Sequence, residues 1–176
     1  MAELWDEEFL QKFAQKIVEA EHEIKVPRFN AILKEVKQFD VEVPGRYDDG
    51  MDIAIQTLAD IQRYRDVLIA LKIAMIDKRN RLSKLWNTVR ASLMLRDPSI
   101  DKMETVVKKE AAIKLTFPSL FDKKQLADDN VECLVDLVDN AIAKFNTVSR
   151  QVALMEMQVR LGEVEGKRKR FRKEED

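Results

Sequence analysis

Residues 50–95 read GMDIAIQTLADIQRYRDVLIALKIAMIDKRNRLSKLWNTVRASLML, with no proline and no glycine after Gly50. An uninterrupted run of roughly 45 residues predicts a single helix about 70 Å long at 1.5 Å per residue. Alternate steps of three and four pick out Leu58, Ile61, Arg65, Leu68, Lys72, Met75, Arg79, Leu82, Trp86, Val89 and Leu93. One half of that seam (Ile61, Leu68, Met75, Leu82, Val89) is apolar throughout, whereas the other carries Arg65, Lys72 and Arg79 in succession. Three cations in a row do not make a dry coiled-coil core. The basic row therefore belongs at the edge of the packed stripe, stems on apolar surface and heads outward. Ile69, Ile73 and Ile76 are expected to widen the apolar face on the other side.

Working outward, a first helix is expected from about Glu3 to Ile24, with Phe9, Phe13 and Ile17 on one face and Asp6, Glu7 and Glu8 at its positive end. Val26-Pro27 breaks it, and a shorter helix from Phe29 to about Gln38 follows. Pro44-Gly45 and the pair Asp48-Asp49 signal a loop. After Arg96-Asp97-Pro98, Ser99 is placed to cap a helix from about Ile100 to Leu115. Phe117-Pro118-Ser119 reads as a turn, leading to a second long helix from about Asp128 to Glu165. Val131, Leu134, Val138, Ile142, Phe145, Val148, Val152, Met155 and Val159 give that helix a period near 3.5, a pairing surface within the chain or between chains.

Composition agrees with few, long helices. Of 176 residues, 45% are hydrophobic and 36% charged, with only four glycines and four prolines, too few turn formers for a mostly β fold. The expected fold class is all-α, an elongated helical bundle with two long antiparallel helices and shorter N-terminal helices. Three segments are anticipated: an acidic N-terminal arm over residues 1–47, a long-helix bundle over 48–166, and a flexible tail over 167–176. Charge is segregated behind a net −1: residues 1–62 hold 7 basic and 14 acidic groups (−7), residues 63–114 hold 13 and 6 (+7), 115–166 hold 5 and 9 (−4), and 167–176 hold 6 and 3 (+3). A single Cys133 excludes an internal disulfide and suits a reducing compartment. With no apolar run long enough to span a bilayer and no signal-peptide layout, no membrane association is expected. The expected location is the cytoplasm, the host's if the chain is viral.

Little in the chain suggests catalysis. His22 is the sole histidine and sits among Glu19, Glu21 and Glu23, which reads as an exposed helical position. Cys133 lies in the apolar stretch 131–138 and reads as a small core residue. One histidine and one cysteine cannot build a zinc site of the usual composition, and no glycine-rich phosphate loop is present. The acidic groups Asp48-Asp49 with Asp52, and Asp128-Asp129, read as loop and helix-start solvation rather than cation ligands. The expectation is no enzyme activity, no catalytic residue, no metal and no cofactor.

One stretch carries a binding signal. Between Arg63 and Arg96 there are nine basic residues, offset only by Asp66 and Asp77. Arg65, Lys72, Lys78, Arg79, Arg81, Lys84 and Arg90 could hold a phosphate backbone, and Trp86, with Tyr64, could stack unpaired bases. Lys108, Lys109 and Lys114 extend the patch if the following helix folds back. The opposing reading is a solvated helix face, or one paired with the acidic N-terminal third.

The layout resembles that of the UvsY-type recombination mediators of tailed phages. The stretches that carry the likeness are Asp77-Lys78-Arg79-Asn80-Arg81-Leu82, Lys108-Lys109-Glu110-Ala111-Ala112-Ile113-Lys114, and Phe145-Asn146-Thr147-Val148-Ser149-Arg150 continuing to Gly162, within residues 55–165. The acidic N-terminal helices and the near-neutral total charge depart from the family's pattern. The resemblance implies a non-catalytic, ring-forming homo-oligomer that binds single-stranded DNA and helps a recombinase displace a single-strand-binding protein. The alternative is a structural or adaptor helical assembly protein, such as a virion component, without nucleic-acid binding.

Overall fold

The computed structural model describes residues 4–45 and 50–174, with side chains as far as residue 163. Its elements are α1 (Glu7–Glu23), α2 (Phe29–Lys37), α3 (Met51–Arg96), α4 (Pro98–Asp101), α5 (Val106–Thr116) and α6 (Pro118–Glu174), with no strand among the described residues. The chain is all-α, and the long helices α3 and α6 pack against each other. The pair Asp48-Asp49, read as loop solvation, lies outside the described residues, as do the side chains of the expected tail over 167–176.

Helix boundaries follow the capping chemistry, which corrects several expectations. Asp6 caps α1, its carboxylate accepting from the Phe9 amide at 2.7 Å, so the helix starts at Glu7 rather than Glu3. Asp97, not Ser99, caps the segment after α3. Its Oδ1 accepts from the Ser99 and Ile100 amides while Pro98 takes the first helical position, and this turn ends at Asp101. Thr105 then opens a separate helix, α5, by accepting from the Lys108 amide at 3.2 Å. The expected helix 100–115 is therefore two pieces. The second long helix begins at Pro118, ten residues before the expected Asp128, because proline's fixed φ starts a helix as readily as it ends one. It also continues past Gly166, where the sequence suggested an end; interior glycine costs only about 1 kcal/mol against alanine.

The chain divides into two compact units. The first comprises Met1–Ile32 and Ala70–Val135. Its core joins Ile17 of α1, Leu82, Trp86, Val89 and Leu93 of α3, Ile113 of α5 and Leu120 of α6. Met75 lies against Asn130, and Trp86 against Phe121 with ring centroids 5.5 Å apart, so rising numbers on α3 meet falling numbers on α6 and the two run antiparallel. Two buried polar groups stitch α1 and its exit to α6. Glu21, 4% exposed, accepts from the Ser119 hydroxyl at 2.5 Å and pairs with Lys123 at 3.0 Å. Asn130, fully buried, donates to the Pro27 carbonyl at 2.9 Å.

The second unit comprises Leu33–Ile69 and Asp136–Asp176. Ala54 and Ile61 of α3 and Val148 of α6 are buried there, with Val41, Val43, Leu58, Phe145, Val152 and Met155 packed around them. Lys144 fastens the segment after α2, donating to Asp40 at 2.6 Å and to the Val41 carbonyl at 2.9 Å. Gly50 immediately precedes α3 with φ +107°, a conformation that a Cβ disfavours.

The apolar seam read from the sequence is the buried one: Ile61, Leu68, Leu82 and Val89 have no exposure and Met75 only 4%. Arg65, Lys72 and Arg79 are half-buried at its margin. Ile73 departs from expectation at 61% exposure, since it points about 160° from Met75 at 100° per residue. On α6, Ile142 and Val159 are exposed rather than packed, and Ala141 takes the buried position.

Candidate nucleic-acid interface

The cations of α3 in the first unit do not share one stripe. Taking Met75 as the inward direction and 100° per residue, Lys72, Arg79 and Arg90 lie about 40–60° to one side and Lys78 about 60° to the other, whereas Arg81 lies about 120° away and Lys84 points straight outward. Burial follows that order: Lys72, Lys78, Arg79 and Arg90 are half-buried, Arg81 and Lys84 exposed. Arg65 belongs to the second unit, where its guanidinium lies 6.0 Å from the centre of the Phe145 ring and its Nε 4.0 Å from Asp66.

Several of these cations have local carboxylate partners. Arg81 Nε sits 2.9 Å from Asp77, and Arg90 reaches Glu110 of α5 at 2.5 Å. Both pairs are substantially exposed, where such bridges contribute little and a competing anion can displace the partner. On α5, Lys108 pairs with Glu104 at 3.3 Å and Lys109 with Asp101 at 3.6 Å, while Lys114 lies 4.4 Å from the centre of the Phe121 ring. Among the described residues, no carboxylate stands within ion-pair distance of Lys72, Lys78, Arg79 or Lys84.

Two carboxylates of the N-terminal segment, one in α1 and one after α2, meet α6 instead. Glu21 pairs with Lys123 and Asp40 with Lys144, both lysines of α6. Glu23 shares a recess of ≈ 350 Å³ with Arg81 and Lys84 without bridging to either among the described residues.

Stacking is where the structure corrects the sequence reading. Trp86 is 8% exposed and packs on Phe121, and Tyr64 is 5% exposed, so neither ring presents a face to a base. Both stand on the inward side of α3, the only side where a large ring can remove its area from water. Burial pushes the Tyr64 hydroxyl above its ordinary titration range, and the neighbouring carboxylate of Asp40 adds to the effect. His22 is exposed and Cys133 half-buried. Among the described residues, no group of three histidine, cysteine or carboxylate side chains could hold a metal ion, and no helix is long and apolar enough to cross a membrane.

Opposite the buried seam lies a feature that charge counting missed. Asn80, Ser83, Lys84, Asn87, Thr88, Ala91 and Ser92 form an open, shallow polar patch on the outer face of α3. The signal was present in the spacing of Asn80, Lys84, Asn87 and Ala91, half a turn away from Met75 and Leu82. Comparison with protein-family models, with curated proteins and with solved structures finds no match to this chain.

Proposed function

We propose that the chain is a non-catalytic, helical single-stranded DNA-binding protein whose phosphate contacts come from α3. The observation that carries this reading is where two N-terminal carboxylates go: Glu21 of α1 engages Lys123 and Asp40, in the segment after α2, engages Lys144, both of α6, while Lys72, Lys78, Arg79 and Lys84 have no ion-pair partner among the described residues. Lys72, Lys78 and Arg79, half-buried at the margin of the packed stripe, and Lys84, exposed on the outer face, meet a polyanion without first losing a carboxylate partner among the described residues. The strand is held through its backbone. Recombinase loading, against a single-strand-binding protein, comes from the UvsY-type resemblance alone, as does assembly into a homo-oligomer.

The test is fluorescence anisotropy of a labelled single strand across a salt series. Engagement of about four phosphates gives a log–log slope near −3 for a single strand. Arg79→Glu with Lys84→Glu should abolish binding while leaving helicity and solution mass unchanged. A flat salt response, or no binding at low salt, removes the proposal.

A second reading has its own observation. Leu154, Met157 and Leu161 of α6 are 60–65% exposed, an arrangement that favours pairing with another helix in a structural or adaptor assembly. An oligomer that resists dilution and ignores DNA is the result that selects it.

A further inference from the structure

Beyond the point where Val152 and Met155 pack with Ala54 and Ile61, α6 continues to Glu174, and every described side chain from 156 to 163 is exposed. Such a stretch does not hold a helix by propensity. Val159 and Gly162 are weak helix formers, and a Cβ placed on Gly162 would meet nothing within 4 Å, so no close approach inside the chain accounts for that glycine. Most helical stability in a protein comes from packing an apolar face, and this part of α6 carries one that its own chain leaves open.

Leu154, Met157 and Leu161 are 60–65% exposed and, at 100° per residue, fall within about 60° of one another. Their mean direction lies roughly 130–170° from Val148, Val152 and Met155, so the stripe is a second apolar face, distinct from the one that meets α3. It reads leucine, methionine, leucine in either direction. A copy turned end for end therefore sets Leu154 against Leu161 with Met157 near the axis, the self-complementarity that a two-fold contact requires. The three residues hold roughly 400 Å² of accessible area per copy, and covering Ala153, Gln158 and the Arg160 stem as well brings a pair to about 1,200 Å², the lower end of stable interfaces. Charge fixes the direction. Lys167, Arg168, Lys169, Arg170, Arg172 and Lys173 follow the stripe on the same helix. Parallel copies would lay these two cationic runs side by side, whereas antiparallel copies send them to opposite ends.

We infer that the occupant of this face is a second copy of the chain, docked antiparallel across a two-fold axis near Met157. The inference rests on the helix-pairing reading above and deepens it by naming the partner, the surface and the direction; it requires no nucleic acid.

Sedimentation velocity of the full chain, without nucleic acid, should show a dimer at tens of micromolar. Leu154→Glu/Leu161→Glu should be monomeric there with its thermal transition retained, because both side chains are exposed within the chain. On a Cys133→Ser background, Leu154→Cys mixed with Leu161→Cys should form an oxidised dimer, and neither variant should do so alone. A dimer that survives the double glutamate variant, a mixture that does not cross-link, or cross-linking of each cysteine variant with itself overturns the inference and leaves the helix-pairing reading to another surface or direction. A chain that stays monomeric at every concentration overturns both.

Discussion

Replacing Trp86 with alanine separates a structural tryptophan from a base-stacking one. The side chain is 8% exposed, sits among Leu82, Val89, Leu93 and Ile113, and meets the Phe121 ring tilted at 57°. Truncating a buried tryptophan costs about 3–5 kcal/mol, the lost transfer energy plus that of the void left behind. Against a whole-domain stability of about 5–15 kcal/mol this is a large fraction. For a chain of this size each kcal/mol lowers Tm by about 2–4 °C, so Trp86→Ala should lower it by roughly 6–20 °C. Trp86→Phe keeps an aromatic ring against Phe121 and should lose only roughly 1–2 kcal/mol. The assay is thermal and urea unfolding followed by circular dichroism, with single-strand affinity measured on each variant below its transition. Core placement predicts lost stability and, for Trp86→Phe, unchanged affinity. An unchanged Tm in Trp86→Ala accompanied by lost DNA affinity would refute the core assignment.

Other perturbations follow from the same contacts. Glu21→Ala leaves Lys123 and the Ser119 hydroxyl without their buried acceptor and should destabilise by about 2–3 kcal/mol, a figure reduced because Lys123 is partly solvated; urea midpoints measure it. Gly50→Ala forces a Cβ into φ +107° and should cost about 1–2 kcal/mol, whereas an alanine at Gly45, which has no such φ, should be close to neutral in the same melts. Tyr64 has a raised folded pKa, so its contribution is complete below the unfolded value near 10 and is lost as pH rises through the folded one. Stability should therefore fall in alkaline solution, and less steeply in Tyr64→Phe; identical alkaline profiles for the two proteins would contradict the placement of that hydroxyl.

The inward seam of α3 was legible because its period depends on nothing but helix geometry and the chemistry of Ile61, Leu68, Met75, Leu82 and Val89. The marginal position of Lys72 and Arg79 was legible for the same reason. What escaped were choices between near-equal local signals. Asp97 and Ser99 are both good caps, and only the carboxylate's bonds to two amides decide between them. Phe117-Pro118-Ser119 serves equally as a turn or a helix start, and the burial of Leu120 against the first-unit core favours the helix. Trp86 stood in the predicted seam, yet its association with basic neighbours suggested a ring open to bases. Pairing of Glu21 with Lys123 and of Asp40 with Lys144 was invisible because each joins residues about a hundred positions apart. A charge profile along the chain records where the acids are, without recording which lysines they meet. The outward polar patch escaped because asparagine and serine leave no trace in hydropathy or net charge.

The bond from Lys123 to the Glu21 carbonyl spans 102 positions, and that distance has a consequence during synthesis. At about 5–20 residues per second, α1 leaves the ribosome roughly 5–20 s before its lysine partner is made. Through that interval its apolar edge, Phe13 and Ile17, has no α6 to cover it, while its glutamates keep the rest of its surface charged. The acidic character of α1 thus offers the newborn chain charge against association for as long as its α6 partner is still unmade.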